Sequence, residues 1–227
     1  MGVVADAISW FGDPAHWSGP NGIARRLVEH VEISGLTTLL AALLAIPVGM
    51  FLGHHRRGEF TLLALSNLGR AIPSFAILAL ALPVTIRLGL GLGFWPTLIA
   101  LFLLAIPPIL TNTYVGIAGV DQDTVEAARG MGLTEGQILT RLELQLAAPA
   151  IMGGLRTAAV QVVATASLAA LVAWGGLGRF IIDGFAVRDN AQIFAGAALV
   201  TGLAILTELA LAGVQRLVRP RTSSTAA

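Results

Sequence analysis

Long runs of residues without a charge constrain the fold of this chain more than any single motif does. The segment Ile33–Gly53 is twenty-one residues long and contains no Asp, Glu, Lys or Arg. As a helix it would extend about 31 Å, close to the thickness of the hydrocarbon core of a bilayer. The 227 residues are 56% hydrophobic and only 12% charged, which is too apolar for a soluble domain of this size. The sequence therefore predicts an integral membrane protein.

Four further apolar stretches are long enough to cross a bilayer. They are Phe60–Ile86, Trp95–Ile117, Pro149–Ala173 and Ile193–Gln215. Arg70 and Pro73 interrupt the second stretch. The predicted fold is an all-α polytopic membrane bundle of about five transmembrane helices, with the termini on opposite sides. We expect a single transmembrane domain, residues 33–217, between an N-terminal leader (residues 1–32) and a short tail (residues 218–227).

The leader has no basic region followed by an apolar core, so we expect it to be retained rather than cleaved as a signal peptide. Tryptophans at positions 10 and 17 and an amphipathic segment from Ile23 to Val31 fit an external helix at the membrane interface. A loosely ordered leader with a short surface helix fits equally well. The sequence assigns no function to this segment.

The residue types that are absent exclude several functions. The chain has no cysteine, and all fourteen of its basic residues are arginine. Thiolate metal sites and cysteine nucleophiles are therefore excluded, and so is the lysine of a P-loop nucleotide site. The net charge of +1 comes from scattered residues, so no basic surface suggests nucleic acid. We expect no metal, no cofactor on this chain and no catalytic site.

The longest polar interval, Asp121 to Pro149, is predicted to form two short helices joined by a tight turn. Asp123 and Glu126 have the spacing of a capping box, which predicts a helix beginning near Thr124 with Glu126 fixing its first turn. Gly132 suits a left-handed residue that ends this helix. Thr134 and Gln137 repeat the capping pattern before a second helix, whose apolar stripe is formed by Ile138, Leu139, Leu142 and Leu146.

The same interval resembles the EAA loop of permease subunits of ABC importers. The residues that carry the resemblance are Glu126-Ala127-Ala128, then Gly132 and Leu133, then an apolar run that ends at Pro149. In that family this helix-turn-helix, here residues 121–148, docks into a groove on a cytoplasmic ATPase. We expect Ala127 and Ala128 to keep the docking face free of bulky side chains. Where the family usually has Glu-Leu-Pro-Leu, this chain has Glu143-Leu144-Gln145-Leu146, so the second helix is expected to continue toward Pro149.

Shorter matches are similar to the osmoprotectant branch of that family. They are Ala71-Ile72-Pro73-Ser74, the segment from Asn112 to Ile117, Arg156-Thr157-Ala158, and the segment from Gly175 to Ile181. The resemblance covers roughly residues 30 to 217. It implies a bacterial inner-membrane permease for glycine betaine, choline or carnitine. It also implies partners: ATPase subunits that bind ATP and Mg²⁺, an extracytoplasmic substrate-binding protein, and a second permease copy or paralogue. A permease for another small solute, such as the amino acid methionine, is the alternative.

The distribution of arginine supports the orientation that the resemblance implies. With the polar interval in the cytoplasm, eight arginines lie on the cytoplasmic side and five outside. The eight are Arg56, Arg57, Arg129, Arg141, Arg156, Arg216, Arg219 and Arg221; the five are Arg25, Arg26, Arg87, Arg179 and Arg188.

Several polar residues fall within the predicted spans, where they are costly unless they face protein or water. Arg70 and Glu208 lie at similar depth, so we expect them to pair, to line the pathway or to reach the interface. Pro73, Asn112, Tyr114 and Gln161 are further candidates for lining a pathway. By contrast, we expect His54-His55 to form a solvated turn at the end of the first span.

The connection from Trp174 to Asn190 is predicted to lie outside, either as a capping loop or as a docking surface for the binding protein. Its residues Phe180, Ile181, Ile182 and Phe185 are expected on the membrane surface.

Two rival functions remain less favoured. An ion-coupled secondary transporter needs intramembrane acids and an inverted repeat, whereas only Glu208 qualifies and no repeat is evident. An intramembrane enzyme needs clustered catalytic groups, and the sequence offers none.

Overall fold

The computed structural model describes residues 2–218, excluding the side chains of Leu65, Arg70 and Val218. Within this range the chain is helical and contains no strand, which confirms the all-α prediction. The predicted tail lies outside the described residues, apart from the backbone of Val218.

The helices are numbered in chain order. Those outside the polar interval are α1 Val3–Gly12, α2 Ile23–His54, α3 Glu59–Ala71, α4 Ser74–Arg87, α5 Phe94–Ala118, α9 Gly178–Val187 and α10 Asn190–Val218. Within the interval are α6 Gln122–Gly130, α7 Glu135–Gln137 and a π-helical segment Ile138–Glu143. Helix α8 Leu144–Thr165 begins in the interval and continues beyond it, and a 3₁₀ segment Ala166–Val172 extends it.

Among the described residues, four helical segments are long and apolar enough to cross a membrane: α2, α5, the continuous segment Glu135–Val172, and α10. The fifth predicted span is divided into α3 and α4, which meet at 83°. Pro73 explains the break, because proline disfavours helical geometry in the residue before it, and Ile72 is extended with φ −77° and ψ 122°. The described residues therefore contain four of the five expected spans as long helices, and the number is five if the bent pair α3 and α4 crosses the membrane as one span.

The leader packs against the bundle, in contrast to the loosely ordered alternative. Helix α2 begins at Ile23, so the amphipathic segment predicted in the leader and the first span form one helix of 32 residues. Helix α1 lies against α10. Trp10 of α1 is buried, with its ring centroid 5.5 Å from that of Phe180 in α9.

Helix α5 forms the centre of the bundle, between α2 and α8. A Cβ atom added at Gly49 of α2 would lie 2.8 Å from Cβ of Thr113. One added at Gly154 of α8 would lie 2.7 Å from Cβ of Asn112. Small residues therefore bring these backbones into close contact.

Contacts between distant segments define two ends of the bundle. At one end, which we call the loop end, Arg56 donates a hydrogen bond of 2.8 Å to the carbonyl of Val120, next to the polar interval. At the other, which we call the far end, the amide of Gly176 donates to Glu29 over 2.9 Å. These contacts agree with the predicted sides, since Arg56 was expected on the side of the polar interval and the connection that contains Gly176 on the opposite side.

Candidate functional site: the polar loop and the intramembrane polar residues

The first helix of the polar loop (residues 121–148) is capped by Asp121, not by the predicted pair Asp123 and Glu126. One carboxylate oxygen of Asp121 accepts hydrogen bonds from the Thr124 amide at 2.9 Å and the Thr124 hydroxyl at 3.1 Å. These bonds hold the pKa of Asp121 below its usual range, because both favour the carboxylate over the acid. Helix α6 therefore begins at Gln122, two residues earlier than predicted, and Glu126 is exposed on its surface.

The turn after α6 has the geometry predicted from Gly132. Its φ is +88°, which a side chain would disfavour. The Gly132 amide donates to Arg129 over 3.0 Å and the Leu133 amide to Ala128 over 3.2 Å, which together form a Schellman motif. Leu133 packs against the small core beneath the turn. Gly132 and Leu133 thus stop the helix and anchor the chain that follows.

The predicted capping box at the start of the second helix is confirmed. The side chain of Gln137 accepts a 3.0 Å hydrogen bond from the Thr134 amide, and the reciprocal bond to the Thr134 side chain is also present. The helix then continues without a break through the π-helical segment into α8. Because Gln145 replaces the usual proline, its amide remains available to the helix. The base of the polar loop is therefore the first part of the fourth span.

The Glu-Ala-Ala triplet spans two faces of α6, which corrects the expectation that both alanines line the docking face. Ala128 is buried, with 4% of its surface exposed, against Val125 and Ile138. Ala127 and Glu126 are exposed. Ala128 thus fits α6 onto the second helix, whereas Ala127 and Glu126 present a surface to a partner.

The tip of the loop is both exposed and braced. Met131 has 75% of its surface exposed, although it lies between two well-fixed helices. Arg129 donates to the two carboxylate oxygens of Glu135 over 2.7 and 3.1 Å, which joins α6 to α7. The same hydrogen bonds raise the pKa of Arg129. The loop is a stiff projection with an apolar side chain at its end.

His54 does not lie in a solvated turn, as the sequence suggested. Its Nδ1 lies 2.6 Å from Oε2 of Glu143, and its Nε2 lies 3.3 Å from Oε2 of Glu135. Glu143 has only 3% of its surface exposed. The first span is therefore tied to the base of the polar loop. His55, by contrast, is exposed and bonds only the carbonyl of Phe51, in its own helix.

Glu208 pairs with Arg156, and its expected pairing with Arg70 stays a prediction. Its carboxylate lies 3.2 Å from Nε of Arg156 in α8; the side chain of Arg70, the predicted partner, lies outside the described residues. Arg156 also donates to Gln215, which in turn donates to the carbonyl of Pro149, both over 2.8 Å. Sequence reasoning missed Arg156, although its position inside the predicted fourth span was a sufficient signal.

The remaining candidates fall in different surroundings. Asn112 is partly buried against α8 and donates to the carbonyl of Pro108 over 2.8 Å. Tyr114 is buried at 3% exposure. Pro73 lies at the break between α3 and α4. Gln161 is exposed in the middle of α8, so it is the one of these four that presents a polar side chain to the outside of the bundle at mid-span.

The far-end connection is more deeply packed than predicted. Phe180, expected on the membrane surface, is buried against Trp10, whereas Phe185 is 63% exposed. The backbone of Gly176 and Leu177 lies against Glu29 and His30, and His30 bonds the carbonyl of Val163 over 2.8 Å. Because the Leu177 amide donates to Nδ1 of His30, Nε2 carries the proton and donates to Val163.

The chain is similar to known membrane transport proteins over most of its length. Residues 45–224 match the family described as binding-protein-dependent transport system inner membrane component. The choline transport system permease protein OpuBB of Bacillus subtilis is 38% identical over 192 residues, which cover 85% of this chain and 86% of that protein. The osmoprotectant import permease protein OsmW of Salmonella typhimurium is 31% identical over 211 residues, 92% of this chain and 98% of that one.

A second relative from Bacillus subtilis, the glycine betaine/carnitine/choline transport system permease protein OpuCB, is 36% identical over 193 residues, 85% of this chain and 87% of that protein. Among solved structures, the inward-facing MetNI methionine ABC transporter contains a chain that superposes with a TM-score of 0.76 at 22% identity, covering 87% of this chain and 96% of that one. This likeness shows a shared fold. The chain belongs to the family of binding-protein-dependent transport system inner membrane components and is a multi-pass permease subunit of an ABC transporter.

Proposed function

We propose that this chain forms the translocation pathway of an ATP-driven importer for a small compatible solute: glycine betaine, choline or carnitine. The observation that carries the proposal is the similarity, over 85% or more of the chain, to two permeases whose names specify these solutes and to a third named for osmoprotectant import. The likeness to the methionine transporter at 22% identity reflects the shared fold, so methionine remains the second candidate solute.

The energy would come from separate ATPase subunits, because this chain lacks the lysine of a nucleotide site. The polar loop suits contact with such a subunit. Its tip exposes Ala127 and Met131, while the Schellman turn and the Arg129–Glu135 pair keep the two helices fixed. Because the loop continues into α8 as one helix, a displacement of the loop would tilt a transmembrane span directly.

The pathway would form between this chain and a second copy or paralogue. Gln161 is exposed at mid-span, and the Arg156–Glu208 pair is only partly covered, with 33% and 44% of these side chains exposed. Polar side chains at this depth are costly in lipid and are favoured where another protein surface or water covers them. We place the loop end in the cytoplasm of a bacterial inner membrane and the far end toward a substrate-binding protein.

The test is to purify the chain with its native partners, to identify them by mass spectrometry and to measure ATP hydrolysis and uptake in proteoliposomes. We expect co-purification of an ATPase, and stimulation of hydrolysis and uptake by glycine betaine, choline or carnitine. Stimulation by methionine alone would show that the solute is this amino acid and not a compatible solute. Uptake driven by an ion gradient without ATP would overturn the proposal as a whole.

Sidedness has its own test, because the chain contains no cysteine. A single cysteine at Met131 should react with a membrane-impermeant maleimide only from the cytoplasmic face. A cysteine at Ser18, which is exposed at the far end, is the matched control and should react only from the opposite face. The reverse pattern would contradict the orientation.

A further inference from the structure

The two ring nitrogens of His54 face two different carboxylates, and both carboxylates belong to the base of the polar loop. Nδ1 lies 2.6 Å from Glu143 in the π-helical segment, and Nε2 lies 3.3 Å from Glu135 in α7. The imidazole is 10% exposed and the carboxylate of Glu143 only 4% exposed. The last turn of α2 is thereby joined to two successive parts of the loop. Glu135 lies 81 residues and Glu143 lies 89 residues after His54 in the sequence.

Hydrogen-bond chemistry distinguishes the two protonation states of this histidine. A neutral imidazole carries one N–H, so it can donate to only one of the two carboxylates, and the lone pair of its other nitrogen then faces a carboxylate oxygen. An imidazolium donates to both. Loss of one charge from a buried ion pair leaves the other charge uncompensated. Deprotonation of His54 would therefore leave the buried carboxylate of Glu143 without an opposite charge.

The charges around the ring balance only when His54 is protonated. The groups that face it are Glu135 and Glu143 from the loop and His55 from its own helix, with ring centroids 5.2 Å apart. Arg129 neutralises Glu135 over 2.7 Å. With one arginine, two carboxylates and a cationic His54 the cluster has no net charge. The C-terminus of a helix also favours a cation, and His54 is the last residue of α2.

Protons can reach the ring. A cavity of about 430 Å³ lies beside it, lined by His54, His55, Glu135, Gly136 and Leu139. The cluster therefore combines a buried ionic contact with an open side at the loop end of the bundle, where a change of pH in the surrounding solution would act.

We infer that protonated His54 is a positioning residue for coupling: it fixes the polar loop to the first span, so that movement of the loop is passed to α2 as well as to α8. This inference rests on the proposed function of the loop. Deprotonation of His54 would leave the hydrogen bond from Arg56 to the carbonyl of Val120 to join the end of α2 to the chain beside the loop, and part of the force applied to the loop would no longer reach α2. Coupling should therefore weaken as the pH at the loop end rises.

The experiment measures the number of solute molecules imported per ATP hydrolysed by the complete complex, with its native partners, in proteoliposomes. The pH on the ATPase side is varied from about 5 to about 8. In the wild type we expect this ratio to fall about fivefold across the interval, a typical size for coupling between sites. In His54→Gln we expect a low ratio that does not change with pH.

Matched variants separate positioning from other effects. His55→Gln changes the adjacent, exposed histidine and should keep the wild-type pH profile. The double variant His54→Gln/Glu143→Gln replaces the ionic contact by two amides that can hydrogen-bond to each other at any pH, so it should regain much of the ratio while remaining independent of pH. If His54→Gln does not fold, this double variant carries the test.

The possible outcomes are distinct. If uptake requires ATP but the variants lacking His54 retain the wild-type pH profile, the inference about His54 is wrong and the proposed function stands. If His55→Gln removes the pH dependence, the responsible histidine is His55 and the inference is likewise wrong. If uptake by the wild type needs no ATP, the proposed function itself fails.

Discussion

The two ends of the bundle are held together by different kinds of contact. At the far end the backbone itself is buried: Gly176 and Leu177 donate to Glu29 and His30, and added atoms at Gly175 would meet the Glu29 carboxylate. At the loop end the contacts are made by charged side chains, such as His54 with Glu143 and Arg129 with Glu135, and the loop surface is largely exposed.

This difference indicates which end of the bundle stays fixed and which end moves. Contacts in which one partner is a buried backbone amide have little freedom to rearrange, because protein interiors are closely packed. Contacts between charged side chains can be exchanged or broken while the helices that carry them stay intact. We therefore expect the far end to serve as a fixed point and the polar loop to move as a stiff unit, with α8 and α2 tilting between them.

The largest expected effect would come from adding one methyl group at the far end. In Gly178→Ala the new Cβ would meet the carbonyl of Ser167 and lie 2.7 Å from its carbonyl carbon. Both are backbone atoms that cannot turn aside, so overpacking should cost about 2–3 kcal/mol. The melting temperature in detergent should fall by about 5–10 °C, as measured by thermal shift or by residual monodispersity after heating.

Gly202→Ala in α10 is the control, because no atom lies within 4 Å of the added Cβ. It should leave the melting temperature unchanged or raise it slightly, since alanine is a better helix former than glycine. Equal stability of both variants would contradict the rigidity of the far end, because it would show that the far end adapts as easily as an open helix surface.

A smaller effect on folding, but a large one on coupling, is expected at the turn of the polar loop. Gly132 has open space around it and a φ of +88°. A valine there would cost roughly 1–2 kcal/mol through its conformation alone. The turn should therefore shift, and Gly132→Val should uncouple ATP hydrolysis from uptake in the reconstituted complex while the bundle remains folded.

Gly130→Val provides the comparison for this turn. Gly130 is also exposed with nothing within 4 Å, but it lies in helix α6. A bulky side chain at Gly130 therefore tests crowding of the docking surface without changing the turn. If both variants uncouple equally, steric hindrance explains the result; if Gly132→Val retains coupled transport, the stiffness of the turn is irrelevant to coupling.

Much of the fold follows from patterns that are local in sequence. Uncharged length predicted the spans, Pro73 predicted the interruption of the second one, and Gly132 predicted the end of α6. Each depends on the conformational limits of one residue or on the hydrophobic character of one segment. The replacement of a proline by Gln145 correctly predicted that the second helix of the loop would run on.

Long-range partners could not be predicted in this way. The contact of His54 with Glu143 joins residues 89 positions apart, and no periodicity signals which histidine meets which acid. Glu208 likewise pairs with Arg156, in a neighbouring span, because helix packing decides which polar groups come together. The burial of Ala128 and Phe180 was missed for a related reason: an apolar residue in a short helix can face either the rest of the chain or its surroundings, which were expected to be a partner for Ala128 and the membrane for Phe180.

The smallest predicted effect concerns the cap of α6, where the sequence and the structure favour different acids. Asp121→Ala should lower the hydrogen-exchange protection of the first amides of α6, including Thr124, by about three- to tenfold, a typical consequence of losing an N-cap. Asp121→Asn should have a milder effect, because an amide oxygen also accepts the hydrogen bond. The measurement is hydrogen exchange of the purified complex, corrected for intrinsic rates.

The dependence on pH sharpens this test, since the folded pKa of Asp121 lies below its ordinary value. Its contribution should be complete above the unfolded pKa, about 4, and should be lost as the pH falls through the folded pKa. The difference between wild type and Asp121→Asn should therefore narrow only below about pH 4. Asp123→Asn and Glu126→Gln should leave the protection of α6 unchanged. A loss of protection in those two variants, with none in Asp121→Ala, would favour the capping box expected from the sequence and would show that the loop end rearranges more freely than its charged contacts suggest.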